Sequence, residues 1–141
     1  NFKVPFGMNQ AELIEAAGGY KVDPEKIISG GPMMGFSMFT VDVPVTKTSS
    51  SILCFTKDEV AQYEPTACIN CGRCVEVCPS RLIPSRLADY AEHHDEEAFT
   101  KHEGLECMEC GSCSYVCPAK RQLKQAIGSM RKTALANRKK K

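Results

Sequence analysis

The sequence predicts an α+β fold, with strands and one helix up to position 57 and only helices from position 65 onward. Three observations predict it. Short alternating apolar runs fill the N-terminal part as far as Phe55 and then stop. Apolar residues at helical spacing replace them after Pro65. Eight of the nine cysteines fall in that second part, in two near-identical runs.

Phe2, Val4 and Phe6 alternate as in a short half-buried strand, with Pro5 marking an edge. Asn9 followed by Glu12 has the form of a capping box, and Leu13, Ile14 and Ala17 make the apolar side of a short helix. Gly18-Gly19 ends it. After the Asp23-Pro24 turn, Lys26 to Ser29 is a strand. Val41, Val43 and Val45 alternate again, and Ile52 to Phe55 follows the serine turn at 49–51. Strand, helix and several short strands over 1–57 make a small α+β domain. Positions 58–64 form a polar linker. In the helical part, 65–141, Leu87, Tyr90 and Ala91 share one face, and Ala98-Phe99 continues after the acidic patch 95–97. Leu123, Ile127, Met130 and Ala134 form a stripe on a last helix. The stretch between Cys78 and Cys107 is long enough for two helices, so a helical connector is expected and not a hairpin.

The cysteine runs are Cys68-Ile-Asn-Cys71-Gly-Arg-Cys74-Val-Glu-Val-Cys78-Pro79 and Cys107-Met-Glu-Cys110-Gly-Ser-Cys113-Ser-Tyr-Val-Cys117-Pro118. Each spells C-x2-C-x2-C-x3-C-P, the spacing with which bacterial-type ferredoxins hold two [4Fe–4S] cubes. Three thiolates two residues apart wrap one cube, and the proline carries the fourth toward the other. Cys68, Cys71, Cys74 and Cys117 are therefore expected on one cluster. Cys107, Cys110, Cys113 and Cys78 are expected on the other. Gly72 and Gly111 stand where backbone would crowd inorganic sulfur. The competing readings are a pair of four-cysteine zinc sites, giving a structural assembly module, and a disulfide framework. Zinc has no use for the third x2 spacing or the Cys-Pro ending, and nine is an odd count for closed disulfides. The run that starts at Cys68 recurs once, at Cys107, which makes a pseudo-twofold and not a solenoid.

An apolar content of 43% is ordinary, and no stretch reaches the ~18 apolar residues of a membrane span. Thiolate clusters fit a reducing compartment, the cytoplasm by default. The formal charge of +1 counts every cysteine as neutral. Eight thiolates against two cores of about 2+ lower it by roughly four, which argues against a nucleic-acid partner.

Smaller features have plain readings. Gly30-Gly31-Pro32-Met33-Met34-Gly35 lacks the Lys-Ser/Thr of a phosphate loop and reads as a tight turn. Met33, Met34 and Met38 suit irregular packing, and Cys54 suits a small buried residue in a strand. His93, His94 and His102 read as solvated surface. The basic residues Arg131, Lys132, Arg138, Lys139, Lys140 and Lys141 suit a helix C-terminus fraying into water, with attraction to an anionic membrane or an acidic partner as the sharper alternative. Arg73 lies inside the first run, whereas Glu106 and Glu109 flank the second, so the Cys107/Cys110/Cys113 cluster is expected to have the lower potential.

The stretch Ile27-Ile-Ser-Gly-Gly-Pro-Met-Met-Gly-Phe36 with Asp42-Val-Pro-Val45, and the stretch from Cys107 to Ala119, together resemble the C subunit of the Rnf ion-translocating electron-transport complex. That complex connects ferredoxin with NAD. The resemblance implies a soluble-ligand-binding β-grasp domain over 1–57, its first strand cut off, before a helical dicluster ferredoxin domain. It implies that the chain is a C-terminal piece of something longer, starting as it does at Asn1. FMN and NADH would belong to an upstream domain that is not in this chain. The implied partners are the other subunits of the membrane complex, including its ferredoxin-like subunit. The implied location is peripheral, on the cytoplasmic side of the bacterial inner membrane. The piece itself would be an electron relay without a catalytic site. A cobalamin reductase of similar architecture is the rival, which the intact Gly-Gly-Pro-Met-Met-Gly stretch disfavours.

Overall fold

The computed structural model describes residues 1–140, which form two compact units divided after Gln62. The first holds a three-stranded antiparallel sheet in the order β2-β1-β3, with β1 (Lys26–Ser29) between β2 (Phe36–Met38) and β3 (Ile52–Phe55). β1 and β3 fall on the expected residues. β2 has no signal of its own in the sequence, because so short a strand shows no alternation. The turn from β1 to β2 is tight, as its glycines predict: Gly30 has φ +101°, and a Cβ on Gly35 would lie 2.5 Å from the Gly31 carbonyl oxygen.

Helix α1 (Gln10–Ala16) starts where Asn9 caps the Ala11 N–H at 2.8 Å, and left-handed Gly18 and Gly19 end it. The strands expected at 2–6 and 41–45 do not form. Backbone bonds do join the second stretch to residues 7–10, Gly7 N–H to the Val45 carbonyl and Gln10 N–H to the Val43 carbonyl, but they amount to a single bridge, Asn9 to Pro44. Pro5 and Pro44 have no N–H to extend a ladder. Cys54 is exposed, contrary to the burial expected of it, and Met33 and Met34 are exposed and not part of a core. The second half of β3 has no covering layer within this unit. The linker region carries a 3-10 turn at Glu59–Gln62, and Asp58 just before it pairs with Lys26 at 2.9 Å.

The second unit is helical, as predicted. Its elements are α2 (Arg73–Glu76), α3 (Pro84–Glu92), α4 (Glu96–Lys101), α5 (Ser112–Tyr115) and α6 (Leu123–Lys140). Two helices do fill the gap between the runs. Pro84 at N1 starts α3, and Asp95 caps α4 through the Ala98 N–H. The stripe Leu123, Ile127, Met130 and Ala134 is buried, and its first three members meet Leu87, Ala88, Ala91 and Phe99 in one core. Each large member contributes about 1.5–3 kcal/mol through burial. Arg131 leaves the basic tail: its guanidinium turns back to the Leu105 carbonyl at 2.8 Å. Lys141 lies outside the described residues.

Phe99 is completely buried, and a Cβ on Gly104 would stand 2.5 Å from its ring. Gly104→Ala is therefore expected to destabilise the helical unit by about 1–3 kcal/mol through overpacking. Phe99→Ala is expected to cost about 3–5 kcal/mol through a cavity. Anaerobic denaturant unfolding followed by circular dichroism measures both.

Candidate iron–sulfur site

The two runs adopt the same backbone twice. Asn70 and Glu109 have φ of 55° and 56°, Gly72 and Gly111 of 76° and 85°, Arg81 and Lys120 both 53°. The members of each pair hold the same place relative to their own run. Left-handed Gly72 and Gly111 turn the chain into α2 and α5, one-turn helices that carry the third cysteine of each run. No protein atom lies within 4 Å of a Cβ built on Gly72, and its left-handed backbone angle by itself favours glycine. After the fourth cysteine, the Arg81 N–H closes onto the Cys78 carbonyl and the Lys120 N–H onto the Cys117 carbonyl. The chain then enters α3 or α6.

This crossing sorts the eight cysteines. Cys68, Cys71, Cys74 and Cys117 line one cavity of about 110 Å³. Cys78, Cys107, Cys110 and Cys113 line another, of about 20 Å³. Thr66, just before the first run, donates its N–H to the carbonyl of Ala119, just after the second, at 2.9 Å. That bond holds the start of one run against the end of the other. Among the described residues no three potential ligands converge tightly enough for a single metal ion. The cysteines instead stand four to a cavity, and none of them is in a disulfide.

The sets differ in surroundings. Cys68 and Cys71 are exposed, whereas all four members of the second set are half-buried. Burial pushes the Cys113 thiol up to about 11 and raises Cys107 as well, against the hydrogen bond that Cys107 Sγ accepts from the Glu109 N–H. The Ser112 hydroxyl, 3.5 Å from Cys110 Sγ, holds that thiol below its ordinary value. Sulfur also accepts from backbone at Cys78, from the Leu82 N–H at 3.3 Å.

How Glu109 is held is not evident from the cysteine runs alone. Its carboxylate lies between Arg131 at 3.3 Å and Lys124 at 3.9 Å, against Gly128, where a Cβ would come within 3.0 Å of it. Lys124, Gly128 and Arg131 recur at helical spacing on one face of α6, a pattern present in the sequence that could have identified the pocket. Glu106, by contrast, stays exposed. His93, His94 and His102 are on the surface as expected, His102 stacked on Tyr90 with ring centroids 5.2 Å apart.

Two cysteine triplets with exchanged fourth members, on a helical core, define an iron–sulfur protein of the dicluster type. Residues 67–121 match the family model described as a 4Fe-4S dicluster domain, and the cofactors are two [4Fe–4S] clusters. The chain is 43% identical over 138 residues to the C subunit of the Na(+)-translocating ferredoxin:NAD(+) oxidoreductase complex of Acetobacterium woodii, a match covering 98% of this chain and 31% of that protein. It is 47% identical over 88 residues to the C subunit of the proton-translocating ferredoxin:NAD(+) oxidoreductase complex of Clostridium ljungdahlii, covering 62% of this chain and 19% of the relative. With the C subunit of the ion-translocating oxidoreductase complex of Methanosarcina acetivorans it shares 45% identity over 89 residues, 63% of this chain and 20% of the relative. The chain is thus a homologue of the C subunits of ion-translocating oxidoreductase complexes, matching a C-terminal part of them. It spans a third or less of the length of these curated relatives. Among the described residues no helix is long and apolar enough to cross a membrane.

Gly72→Ala forces a side chain into the left-handed region at the entry to α2. A loss of about 1–2 kcal/mol is expected, with Gly72→Asn costing less. Thermal unfolding of the two variants side by side checks the difference.

Proposed function

We propose that the chain is the electron-relay segment of an Rnf-type C subunit. Cys68, Cys71, Cys74 and Cys117 would hold one [4Fe–4S] cluster, and Cys107, Cys110, Cys113 and Cys78 the other. The observation that carries this reading is the sorting of the eight cysteines, four to a cavity, with the fourth of each run exchanged. The clusters supply one-electron chemistry when bound. The chain supplies thiolate ligands, backbone N–H donors to sulfur at Cys78 and Cys107, and two cavities of unequal exposure. Cys74, Cys78, Cys107, Cys113 and Cys117 rest against one hydrophobic core, so both sites are held by a single packed unit.

The first unit is read as the soluble-ligand-binding β-grasp part over 1–57, supported by its antiparallel sheet and capped helix, with 58–64 as linker and 65–141 as the ferredoxin-like domain. In the parent protein, FMN and NADH would bind outside this stretch. Its partners would be the other subunits of the complex, the ferredoxin-like one included, and its place the cytoplasmic side of the bacterial inner membrane. The names of the relatives support that assembly.

Metal and acid-labile sulfide analysis of the anaerobically prepared protein tests the reading. About eight iron and about eight sulfide are expected, with electron paramagnetic resonance signals broadened by coupling once both clusters are reduced. Zinc without sulfide would sink it. The exchange of ligands has its own test. Cys117→Ala should disturb the signal of the cluster held by Cys68, Cys71 and Cys74, and Cys78→Ala the other. If each variant instead loses the cluster of its own run, the crossed assignment is wrong.

Burial disfavours the extra negative charge of a reduced cluster, so the second, half-buried set is expected to have the lower potential. Glu109 adds to this through its carboxylate, although Lys124 and Arg131 partly offset it. Glu109→Gln leaves those two cations uncompensated, which should raise the second potential and leave the first nearly unmoved. A redox titration in which neither potential moves would remove Glu109 from the account.

A further inference from the structure

A cleft of about 290 Å³ opens on the helical unit between the start of α3 and the end of α4. Arg81, Arg86, Lys101 and His102 line it, and Glu103 is its single acid. Arg81, Arg86 and Lys101 are exposed, and none of them forms an ion pair among the described residues. Three cations facing one concave surface repel one another, an arrangement that folding alone does not favour.

The internal repeat sharpens the contrast. In the second copy, the counterpart of Arg81 is Lys120, which stands over the Tyr63 ring at 4.3 Å. The counterpart of Arg86 is the neutral Gln125. The neighbouring cation there, Arg121, is bound by Asp89 at 2.9 Å and Glu92 at 2.8 Å. The backbone is duplicated, but the open positive charge is not. Its position is informative as well. Leu82 and Leu87 line this cleft on one side and the Cys78/Cys107/Cys110/Cys113 cavity on the other.

We propose that this cleft is a docking site for an acidic electron-carrier protein, which it brings to within one layer of side chains of the second cysteine set. The proposal rests on the electron-relay reading. Thiolates outnumber the core charge in [4Fe–4S] sites, so carriers of that type are negative where their clusters lie, and complementary charge steers such encounters. The concave shape favours inserted carboxylate side chains over a flat lipid surface. Ile83, exposed at the cleft edge, offers the apolar contact that protein interfaces use.

The test uses the full chain loaded with its clusters, and a reduced acidic bacterial-type ferredoxin as the probe. In stopped-flow mixing at low salt, the Arg81→Gln/Arg86→Gln/Lys101→Gln variant should accept electrons about ten-fold more slowly than the parent. The gap should shrink to below about two-fold near 0.5 M salt. Iron, sulfide and the resonance signals should be unchanged, and a Lys132→Gln/Lys139→Gln control should match the parent. Equal rates in parent and variant would overturn the proposal, as would the same loss in the control. So would an unchanged ferredoxin rate together with lost binding to phosphatidylserine vesicles, which would assign the cleft to a membrane. A preparation without iron and sulfide would sink the relay reading instead. Calorimetric titration of that preparation with the same ferredoxin would still decide whether the cleft binds it.

Discussion

The packing of α3 against α6 decides where both cysteine sets stand. Ala88 and Ala91 keep the surface of α3 low, and Leu123, Ile127 and Met130 fill the space opposite. Phe99 from α4 closes the same core without any exposure of its own. Five of the eight run cysteines are packed against this cluster. Each run leads through its Cys-Pro ending directly into one of the two helices, so the helix pair and the exchanged fourth cysteines are one constraint seen from two sides. Cluster binding and folding are linked in such a unit, because a ligand that drives the thiolates together also drives the helices together.

Much of this was legible in the chain. The C-x2-C-x2-C-x3-C-P spacing announces its own geometry because three of its ligands are local. The α6 stripe is long and strictly periodic, and β1 and β3 carry dense β-branched or apolar runs. What escaped depends on partners distant in sequence. Val41, Val43 and Val45 alternate as a strand should, but the stretch opposite, 7–10, turns at once into α1 and their own is broken by Pro44. Cys54 has the neighbours of a buried residue and sits where its sheet has no cover. Arg131 reads as the start of a basic tail until the Leu105 carbonyl and the Glu109 carboxylate, far back in the chain, claim it.

Two identical motifs in one core would hold two identical clusters if local sequence alone set their properties. The surroundings separate them. The first set has two thiols in solvent, where water can answer the charge of reduction by reorienting. The second lies behind Leu82 and Leu87 with little room for water, and its charges must be answered by fixed groups. Backbone N–H donors, Lys124 and Arg131 are the groups that the fold supplies there. In the proposed relay Glu109 would act as a counterweight: seated against α6 where Gly128 has no side chain, it would keep that pair of cations from drawing the second site up to the potential of the first. A gradient between adjacent sites requires such a difference in surroundings, and the duplicated backbone permits it because charge can vary at matched positions without moving a single ligand.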